Sequence, residues 1–311
     1  MRSDLHVHSR HSGPADLPVL RHLGRECYSE PNEVYERARA RGMDLVTLTD
    51  HDSIAGALEI AHLPGTFVSE EVTLVLDGGR KLHLGVYDLT PAQHERIARL
   101  RFDPEALFAF LAEERIPACL NHPFSALTGR RELVDLQIAL GGLPLIETLN
   151  GSMPEGHNEK ARLLGRAAGL APIGGSDSHT LANVARAFTT VAGARTRDEF
   201  LAGLRLGLTV PSGRSGTYAR LTGEVARIFA SGYEDALRRA ARGLEDPRRI
   251  LALLGLGPFL PLIPFFTGAI YAHELRFGSC WFQLLANRGL ATAAGFGPAP
   301  FAGRPALRPT A

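Results

Sequence analysis

The chain has 311 residues, of which 45% are hydrophobic and 22% charged, and these values are ordinary for a globular protein with one large domain and an appendage. The formal charge of +1 provides no strong field for acidic partners, so we expect no stable binding to duplex nucleic acid. Cys27, Cys119 and Cys280 lie far apart, which argues against a disulfide framework and a thiolate zinc site. The N-terminal residues lack an apolar signal core, and we therefore expect a cytoplasmic protein.

The first two hundred residues alternate apolar runs, which predict strands, with segments that predict helices. Strands that alternate with helices imply a mostly parallel sheet. Polar residues recur where these strands end, and this favours a closed (β/α) barrel, in which those ends share one face, over an open sheet. The predicted strands cover 3–8, 45–49, 66–76, 81–89, 118–120, 145–149 and 171–174, and the predicted helices cover 29–41, 54–62, 104–114, 132–140 and 155–168.

The composition changes after about Tyr218. Residues 221–242 predict an amphipathic helix, and the uncharged stretch 250–272 is long enough to span a bilayer. Prolines interrupt that stretch, so a helical hairpin packed on the barrel or on a partner is the preferred interpretation, with membrane contact as the alternative. We predict a barrel over 1–216, a helical apolar extension over 217–298 and a disordered tail over 299–311.

Histidines and carboxylates follow the predicted strands at the same relative position. His6 and His8 are two residues apart on a strand and therefore point to one face, where neutral imidazoles suit Zn, Mn or Fe. Of Glu70 and Glu71, one must face the barrel interior, where a carboxylate needs a cation. The predicted metal ligands are His6, His8, Asp50, His51, one of Glu70 and Glu71, His83, His122, Asp177 and His179.

These residues lie in motifs that resemble the polymerase and histidinol phosphatase (PHP) superfamily. The motifs occur in the family's order over about 1–212. They are DLHVHS at 4–9, TLTDHDS at 47–53, SEEVT at 69–73, LHLGVYDL at 82–89, NHP at 121–123, IETLNG at 146–151 and GSDSH at 175–179. The resemblance implies a distorted (β/α)7 barrel that binds two or three divalent ions, with Mn, Zn, Fe or Mg as candidates.

The resemblance also implies how the ligands divide among the ions. One ion would be held by His6, His8, Glu71 and Asp177, and a second by Glu71, His83 and His122. A third would use His51 and His179 with one ligand from the loop after His8. Many members of the family have Ser-Asp-Gly in that loop, whereas this chain has Ser12-Gly13-Pro14, so the expectation is either that His11 or Asp16 substitutes or that the third site is weak.

A site of this kind predicts hydrolysis of phosphate esters, because paired metal ions clamp a phosphate and lower the pKa of bound water. The expected substrates are nucleotides, short nucleic acids or small phosphomonoesters. Amide hydrolysis is a second hypothesis, and a non-catalytic module that binds metal and docks a partner is a third. His179 and His11 are the candidate proton donors, and the candidate substrate-binding residues are Arg10, Arg130, Arg131 and Asn150.

Overall fold

The structure is a computed structural model that describes residues 1–13, 24–129, 131–243, 255 and 257–287. Its strands are β1 (Arg2–Asp4), β2 (Leu45–Val46), β3 (Ser69–Val75), β4 (Lys81–Tyr87), β5 (Ala118–Leu120), β6 (Leu145–Asn150), β7 (Ala171–Gly175), β8 (Ala187–Thr190) and β9 (Val210–Gly213). Its helices are α1 (Pro31–Ala40), α2 (Ala55–Glu59), α3 (Pro91–Leu100), α4 (Pro104–Glu113), α5 (Leu133–Gly142), α6 (Glu155–Ala168), α7 (Arg197–Arg205), α8 (Tyr218–Ala241) and α9 (Ile263–Asn287).

The described strands form two sheets, with the orders β2-β1-β8-β9 and β3-β4-β5-β6-β7. The neighbours β1 and β2, and also β5, β6 and β7, run parallel, whereas β4 is antiparallel to both β3 and β5, and β8 is antiparallel to both β1 and β9. The predicted α/β class is therefore confirmed, but the described sheets are mixed and not mostly parallel. The sequence prediction did not include α3, β8, α7 or β9.

The two sheets meet at isolated bridges rather than at continuous ladders. At one seam, Val46 bridges Thr66 and His51 bridges Glu71, while Val7 bridges Ser178 at the other. The two sheets also share an apolar core, which takes side chains from strands of both and packs against α7. The core residues from the strands are Leu45, Tyr87, Cys119, Leu145 and Ile173, and those from α7 are Phe200, Leu201 and Leu204.

Helices α8 and α9 pack against each other and against the sheet-bearing part of the chain. The Tyr218 hydroxyl donates to the Pro264 carbonyl at 2.7 Å, and the hydroxyls of Thr222 and Thr267 are 2.7 Å apart. Farther along α9, Trp281 and Leu285 enter the apolar core that contains residues of α4, α5 and α6. The two helices are thus docked by both polar and apolar contacts.

The apolar stretch predicted over 250–272 divides between two elements. A 3₁₀ helix covers Gly257–Leu262, and the rest forms the start of α9; residues 250–254 and 256 lie outside the described residues. Among the helices that the structure describes, none combines the length and apolarity needed to cross a membrane. The predicted tail at 299–311 lies outside the described residues.

Candidate metal centre

The carboxylate of Glu71, on β3, lies at the centre of five histidines. Its oxygens are between 3.1 and 3.5 Å from a ring nitrogen of each one, and Glu71 itself is fully buried. The surrounding histidines are His6, His8, His51, His83 and His122. These residues come from segments spread over more than a hundred positions of the chain, so the fold alone brings them together.

The five imidazoles form a closed ring around that carboxylate. Neighbouring ring centroids are 4.8 to 5.5 Å apart around the whole circuit. His179 adds a sixth imidazole, stacked on His8 with centroids 4.3 Å apart. So many nitrogen donors around one buried acid is unusual, because buried histidines normally find ordinary hydrogen-bond partners.

Asp177 supplies the second carboxylate of the cluster. Its Oδ1 is 3.4 Å from the Nε2 atoms of both His6 and His8. Its backbone has a left-handed φ of 50°, and that of His122 has a φ of 26°. Non-glycine residues rarely adopt such angles, and they concentrate at functional sites where the surrounding structure enforces them.

The two strand ends that carry His6 and Asp177 approach each other closely. A Cβ atom added to Gly175 would lie 2.3 Å from the His6 Cβ, so only glycine fits there without displacement of the backbone. The Asp177 amide donates to the His6 carbonyl at 2.6 Å, and the His8 amide donates to the Ser178 carbonyl at 3.0 Å. The glycine therefore lets the two ligand-bearing segments lie side by side.

Buried polar neighbours orient the imidazoles of His6 and His8. The Nδ1 atom of His6 donates to Glu147 Oε1 at 2.9 Å, and that of His8 contacts Ser12 Oγ at 2.8 Å. Ser12 Oγ in turn donates to Asp50 Oδ1 at 2.9 Å. With Nδ1 engaged in this way, the Nε2 lone pair of each ring points at the carboxylates, as in metal sites where a second partner fixes the imidazole tautomer.

Amide side chains orient the two carboxylates. Asn121 Nδ2 donates to Glu71 Oε1 at 2.8 Å. Asn150 Nδ2 donates to Asp177 Oδ2 at 3.0 Å and to Glu147 Oε2 at 2.9 Å. Both carboxylates are therefore held in a single geometry by groups that are themselves buried.

The residues present fit divalent cations. Among the described residues, the Nε2 atoms of His6 and His8 and the Oε2 atom of Glu71 are buried without a hydrogen-bond partner. Lone pairs that face one another in a buried site repel unless a cation lies between them. Imidazole and carboxylate together form the donor set typical of Zn, Mn and Fe.

Four groups of these side chains have ligand atoms within 4.8 Å of one another, which is close enough to share an ion. The groups are His6, His8 and Asp177; His6, Glu71 and His122; His51, Glu71 and His83; and His8, Glu26, His51 and His179. His6, His8, His51 and Glu71 each occur in two groups, so neighbouring ions would share ligands.

The cluster shifts the pKa values of its members strongly. Burial raises the pKa of Glu71, but the facing His6, His51 and His83 outweigh it and hold the pKa well below the usual value. Asp177 behaves in the same way, with His6 as the main opposing charge. Burial, assisted by His179, lowers the pKa of His8. Burial opposes the charged form of His6, but the carboxylates of Glu71, Asp177 and Glu147 outweigh it and raise the pKa of that imidazole well above its usual value. A bound cation would take the place of the proton that these acids favour on His6, because metal coordination requires ionised carboxylates and neutral imidazoles.

The fourth group contains a residue that sequence reasoning missed. Glu26 Oε1 lies 3.3 Å from His51 Nε2 and 3.8 Å from His179 Nε2. It belongs to the loop before α1, where no strand pattern marks its position. The one sequence signal is that Glu26 is an acid in the segment after His8, from which a third-ion ligand is expected. Of the expected substitutes, His11 lies outside all four groups, and Asp16 lies outside the described residues.

Asp50 is predicted as a ligand, and the structure corrects this. Its Oδ1 accepts from the Ser9 amide at 2.6 Å and from Ser12 Oγ, and its Oδ2 accepts from Ser9 Oγ at 2.7 Å. Both oxygens are therefore used by the loop that follows His8. Asp50 anchors that loop and, through Ser12, orients His8.

The predicted substrate-binding residues also lie differently from expectation. Arg131 is buried, and its guanidinium donates to the carbonyls of Pro123 and Ser125. Asn150 is buried and bonds to the site carboxylates, so it positions a ligand instead of facing a substrate. Arg130 lies outside the described residues.

Arg10 and His11 share one acidic partner beside the site. Arg10 contacts Glu30 and Glu59, and His11 Nε2 lies 3.0 Å from Glu59 Oε2. Both side chains are partly exposed. They lie on the loop between His8 and Ser12, so they remain close to the centre in the chain without belonging to a ligand group.

Comparisons with known proteins found a matching family model and a curated relative. The family model described as PHP-associated matches residues 155–209. An uncharacterized protein of Methanocaldococcus jannaschii, MJ1587, is 32% identical over 72 residues, which cover 23% of this chain and 41% of that protein. The chain thus matches about two fifths of the length of this curated relative.

Solved structures are similar to this chain at low sequence identity, and one of them has a TM-score above 0.5. The crystal structure of PsfC from Pseudomonas syringae PB-5123 is similar with a TM-score of 0.52 and 16% identity, over 74% of this chain and 98% of that one. A Bifidobacterium adolescentis protein that carries the name of a metal-dependent phosphoesterase has a TM-score of 0.41 and 16% identity, over 57% of this chain and 87% of that one.

The α/β fold carries a histidine-carboxylate cluster whose side chains are close enough to hold metal ions. The chain resembles the PHP superfamily in its motifs, and its residues 155–209 match the PHP-associated family model.

Proposed function

We propose that this protein is a metal-dependent hydrolase of phosphate esters. The observation that supports the proposal most directly is the ring of five imidazoles around buried Glu71, with Asp177 as a second acid. Such a group is costly to bury without cations, and it is built to hold two or three of them close together. Closely spaced cations suit phosphoryl oxygens, which carry the charge that must be neutralised.

The groups defined by distance suggest how the ligands divide. His6, His8, Glu71 and Asp177 are proposed for one ion, and Glu71, His83 and His122 for a second. His51 and His179 are proposed for a third, together with Glu26 in the position for which His11 or Asp16 is expected. The nitrogen-rich donor set favours Mn, Zn or Fe over Mg, which prefers oxygen ligands.

Divalent ions, when bound, supply charge neutralisation and an activated water for attack on phosphorus. The residues of the chain then have distinct tasks. Glu147 and Ser12 hold the rings of His6 and His8 in fixed orientations, and Asn150 holds Asp177. His179 is the most exposed imidazole among the proposed ligands, with 22% of its side chain accessible, and is proposed to hold the proton for the leaving group when the third ion is not bound. His11, held by Glu59, is the second candidate for that task.

The finer architecture is also proposed. The isolated bridges at both seams support a distorted (β/α)7-type barrel in which the two sheets are arcs of one wall. In this description the barrel covers 1–216, and the helices of 217–298 form an extension. The ligand-bearing residues then converge at the carboxyl ends of the strands, where barrel enzymes hold their active sites.

Small phosphorylated molecules or short nucleic acids are the proposed substrates. The net charge of +1 provides little attraction for long duplexes. Amide hydrolysis at a carbamylated lysine is less well supported, because the chain has two lysines and neither is in the centre. Lys81 is exposed at the start of β4, and Lys160 bonds to the Gly156 carbonyl on α6.

Turnover of phosphomonoester, phosphodiester and amide substrates should be measured with Mn, Zn and Mg in turn. Phosphate-ester hydrolysis that depends on the metal, and that falls on the order of a thousandfold in Glu71→Ala and His122→Ala, is expected. Glu70→Ala is the matched control, because Glu70 is the adjacent buried acid on β3 but faces His94 at 2.8 Å, outside the cluster.

Three results would count against the proposal. Full turnover in Glu71→Ala would remove the site from the chemistry. Amide hydrolysis without phosphate-ester hydrolysis would favour the second hypothesis. Tight binding of metal with no hydrolysis of either class would favour a non-catalytic module.

A further inference from the structure

We propose that the C-terminal helices α8 and α9 are positioning elements of the metal centre, through Glu224 and Glu274. This inference rests on the proposed metal-dependent function, but its test is independent of any substrate. Each helix inserts one buried carboxylate beneath a loop that carries a histidine of the centre. The two glutamates reach different loops, so each acts on a different part of the site.

Glu224, on α8, holds the loop of His179. Its Oε1 accepts from the His179 backbone amide at 2.9 Å, and its Oε2 accepts from Asn183 Nδ2 at 2.7 Å. The residue is 6% exposed, so these bonds form away from water. Because Glu224 accepts a hydrogen bond from the His179 backbone, it fixes where the His179 imidazole lies relative to Glu26 and His51.

Glu274, on α9, holds the turn that follows His122. Both of its oxygens accept from the Ala126 amide, at 3.0 and 3.1 Å, and Ser125 Oγ lies 3.4 Å from Oε1. The Ser125 amide in turn donates to the His122 carbonyl at 3.0 Å. Glu274 is 4% exposed. It therefore supports the strained backbone of His122 from outside the sheet.

Packing alone does not require carboxylates at these positions. A helix that only covers the core would place apolar side chains there, because a buried charge is costly unless it is fully hydrogen-bonded. Here Glu224 accepts a hydrogen bond from the backbone amide of His179, a proposed ligand. Glu274 accepts from the amide of Ala126, in the turn that follows His122. The same helices also hold ordinary packing residues such as Trp281 and Leu285, so the two kinds of contact are separable by mutation.

Metal binding by the full chain tests the inference, measured by calorimetric titration with Mn²⁺ and Zn²⁺ alongside thermal unfolding. Glu224→Ala is expected to lower the affinity for one ion by roughly 10- to 100-fold, which is typical when a hydrogen-bond partner of a metal ligand is lost. Glu274→Ala is expected to lower the affinity for a different ion by a similar factor. Glu224→Gln and Glu274→Gln keep an acceptor oxygen for the amide and should restore most of the affinity.

Double variants identify the ion concerned. Added to Glu26→Gln, Glu224→Ala should cause little further loss, because both act on the group of His8, His51 and His179. When Glu274→Ala is added to His122→Ala, it should likewise cause little further loss of metal affinity. Glu234→Ala on α8 and Gln283→Ala on α9 are exposed controls that should bind metal as the wild type does.

Unchanged affinity and stoichiometry in both alanine variants would overturn the inference. The inference would also be overturned if the affinity for every ion fell equally, in proportion to the melting temperature, and the glutamine variants did not restore it. That result would indicate general destabilisation of the fold. If the ion-specific losses occur but no phosphate ester is hydrolysed, the positioning role stands and the proposed activity fails.

Discussion

The metal centre and the C-terminal helices both bury charged side chains, but they satisfy them in different ways. In the centre, the Nε2 atoms of His6 and His8 and an oxygen of Glu71 have no hydrogen-bond partner among the described residues. In the helices, both oxygens of Glu224 and of Glu274 accept hydrogen bonds. Unsatisfied buried donors and acceptors indicate a ligand, whereas satisfied ones indicate a support.

This contrast can be tested by removal of an orienting partner inside the centre, where the largest effect is expected. Glu147→Ala frees the Nδ1 atom of His6, which contributes to two of the ligand groups. We expect metal affinity to fall roughly 100-fold, at the upper end of the range for such partners. Equilibrium dialysis against Zn²⁺ measures the metal affinity of the variant and of the wild type.

Glu159→Ala is the matched control, because Glu159 is an exposed acid on α6, the helix that follows β6. Wild-type affinity in Glu147→Ala would show that the carboxylate does not orient His6. Glu147 would then be a buried acid with a purely structural task inside the centre.

Glu26→Gln tests whether the loop before α1 completes a third ion. Loss of one charged ligand should weaken a single ion about tenfold or more and leave the others unchanged, because Glu26 occurs in only one group. Metal content after gel filtration, measured by mass spectrometry, reports the stoichiometry. An unchanged number of bound ions would exclude Glu26 as a ligand.

Two adjacent glycines provide a steric test with a smaller effect on metal binding. Gly175→Ala would place Cβ 2.3 Å from the His6 Cβ, whereas Gly174→Ala would place it 3.0 Å from the nearest atom, the Phe188 carbonyl oxygen. We expect Gly175→Ala to lower the free energy of unfolding by about 1–3 kcal/mol and to weaken metal binding several-fold. Gly174→Ala should have a smaller effect on both the free energy of unfolding and the metal affinity.

Chemical denaturation with and without Zn²⁺ separates the two effects. If both alanine variants behave alike, the close approach of β7 to His6 has no part in the geometry of the site. Loss of stability without loss of metal affinity would also separate the packing of the strands from the positioning of the ligand.

The smallest effect on metal binding is expected at His157, which belongs to the helix interface. Burial lowers the pKa of His157 to about 4; its bond to the Glu274 carbonyl opposes this shift, whereas Lys160 and Arg131 add to it. A base with a lowered pKa in the folded state binds fewer protons than in the unfolded state between about pH 4 and 6.5, so its stabilisation is complete above that window and is lost as the pH falls through it.

The wild type should therefore lose about 2 kcal/mol more stability than His157→Gln between pH 7 and pH 5. Denaturant titrations of the metal-free chain measure the difference, with His273→Gln as an exposed histidine control on α9. Equal pH dependence in the wild type and His157→Gln would show that the interface does not hold His157 neutral.

Local pattern was sufficient for much of the fold. Most predicted elements up to β7 occur within a few residues of their expected positions, because apolar periodicity and turn residues act over short distances. The elements α3, β8, α7 and β9 are not among the predicted ones. The closed barrel was inferred from the alternation of strands and helices; the described strands form two sheets joined by isolated bridges, so closure stays a prediction.

The sequence by itself determined which residue types follow the strands, and so it predicted an acid- and histidine-lined centre and the PHP family. Only the tertiary structure decided which of them meet. It turned Asp50 toward Ser9 and Ser12, buried Arg131, and brought Glu26 from a distant loop. It also placed Glu224 and Glu274 beneath ligand loops. The physical reason is that side-chain direction on a strand follows from local alternation, whereas contacts across loops and helices depend on how the whole chain packs.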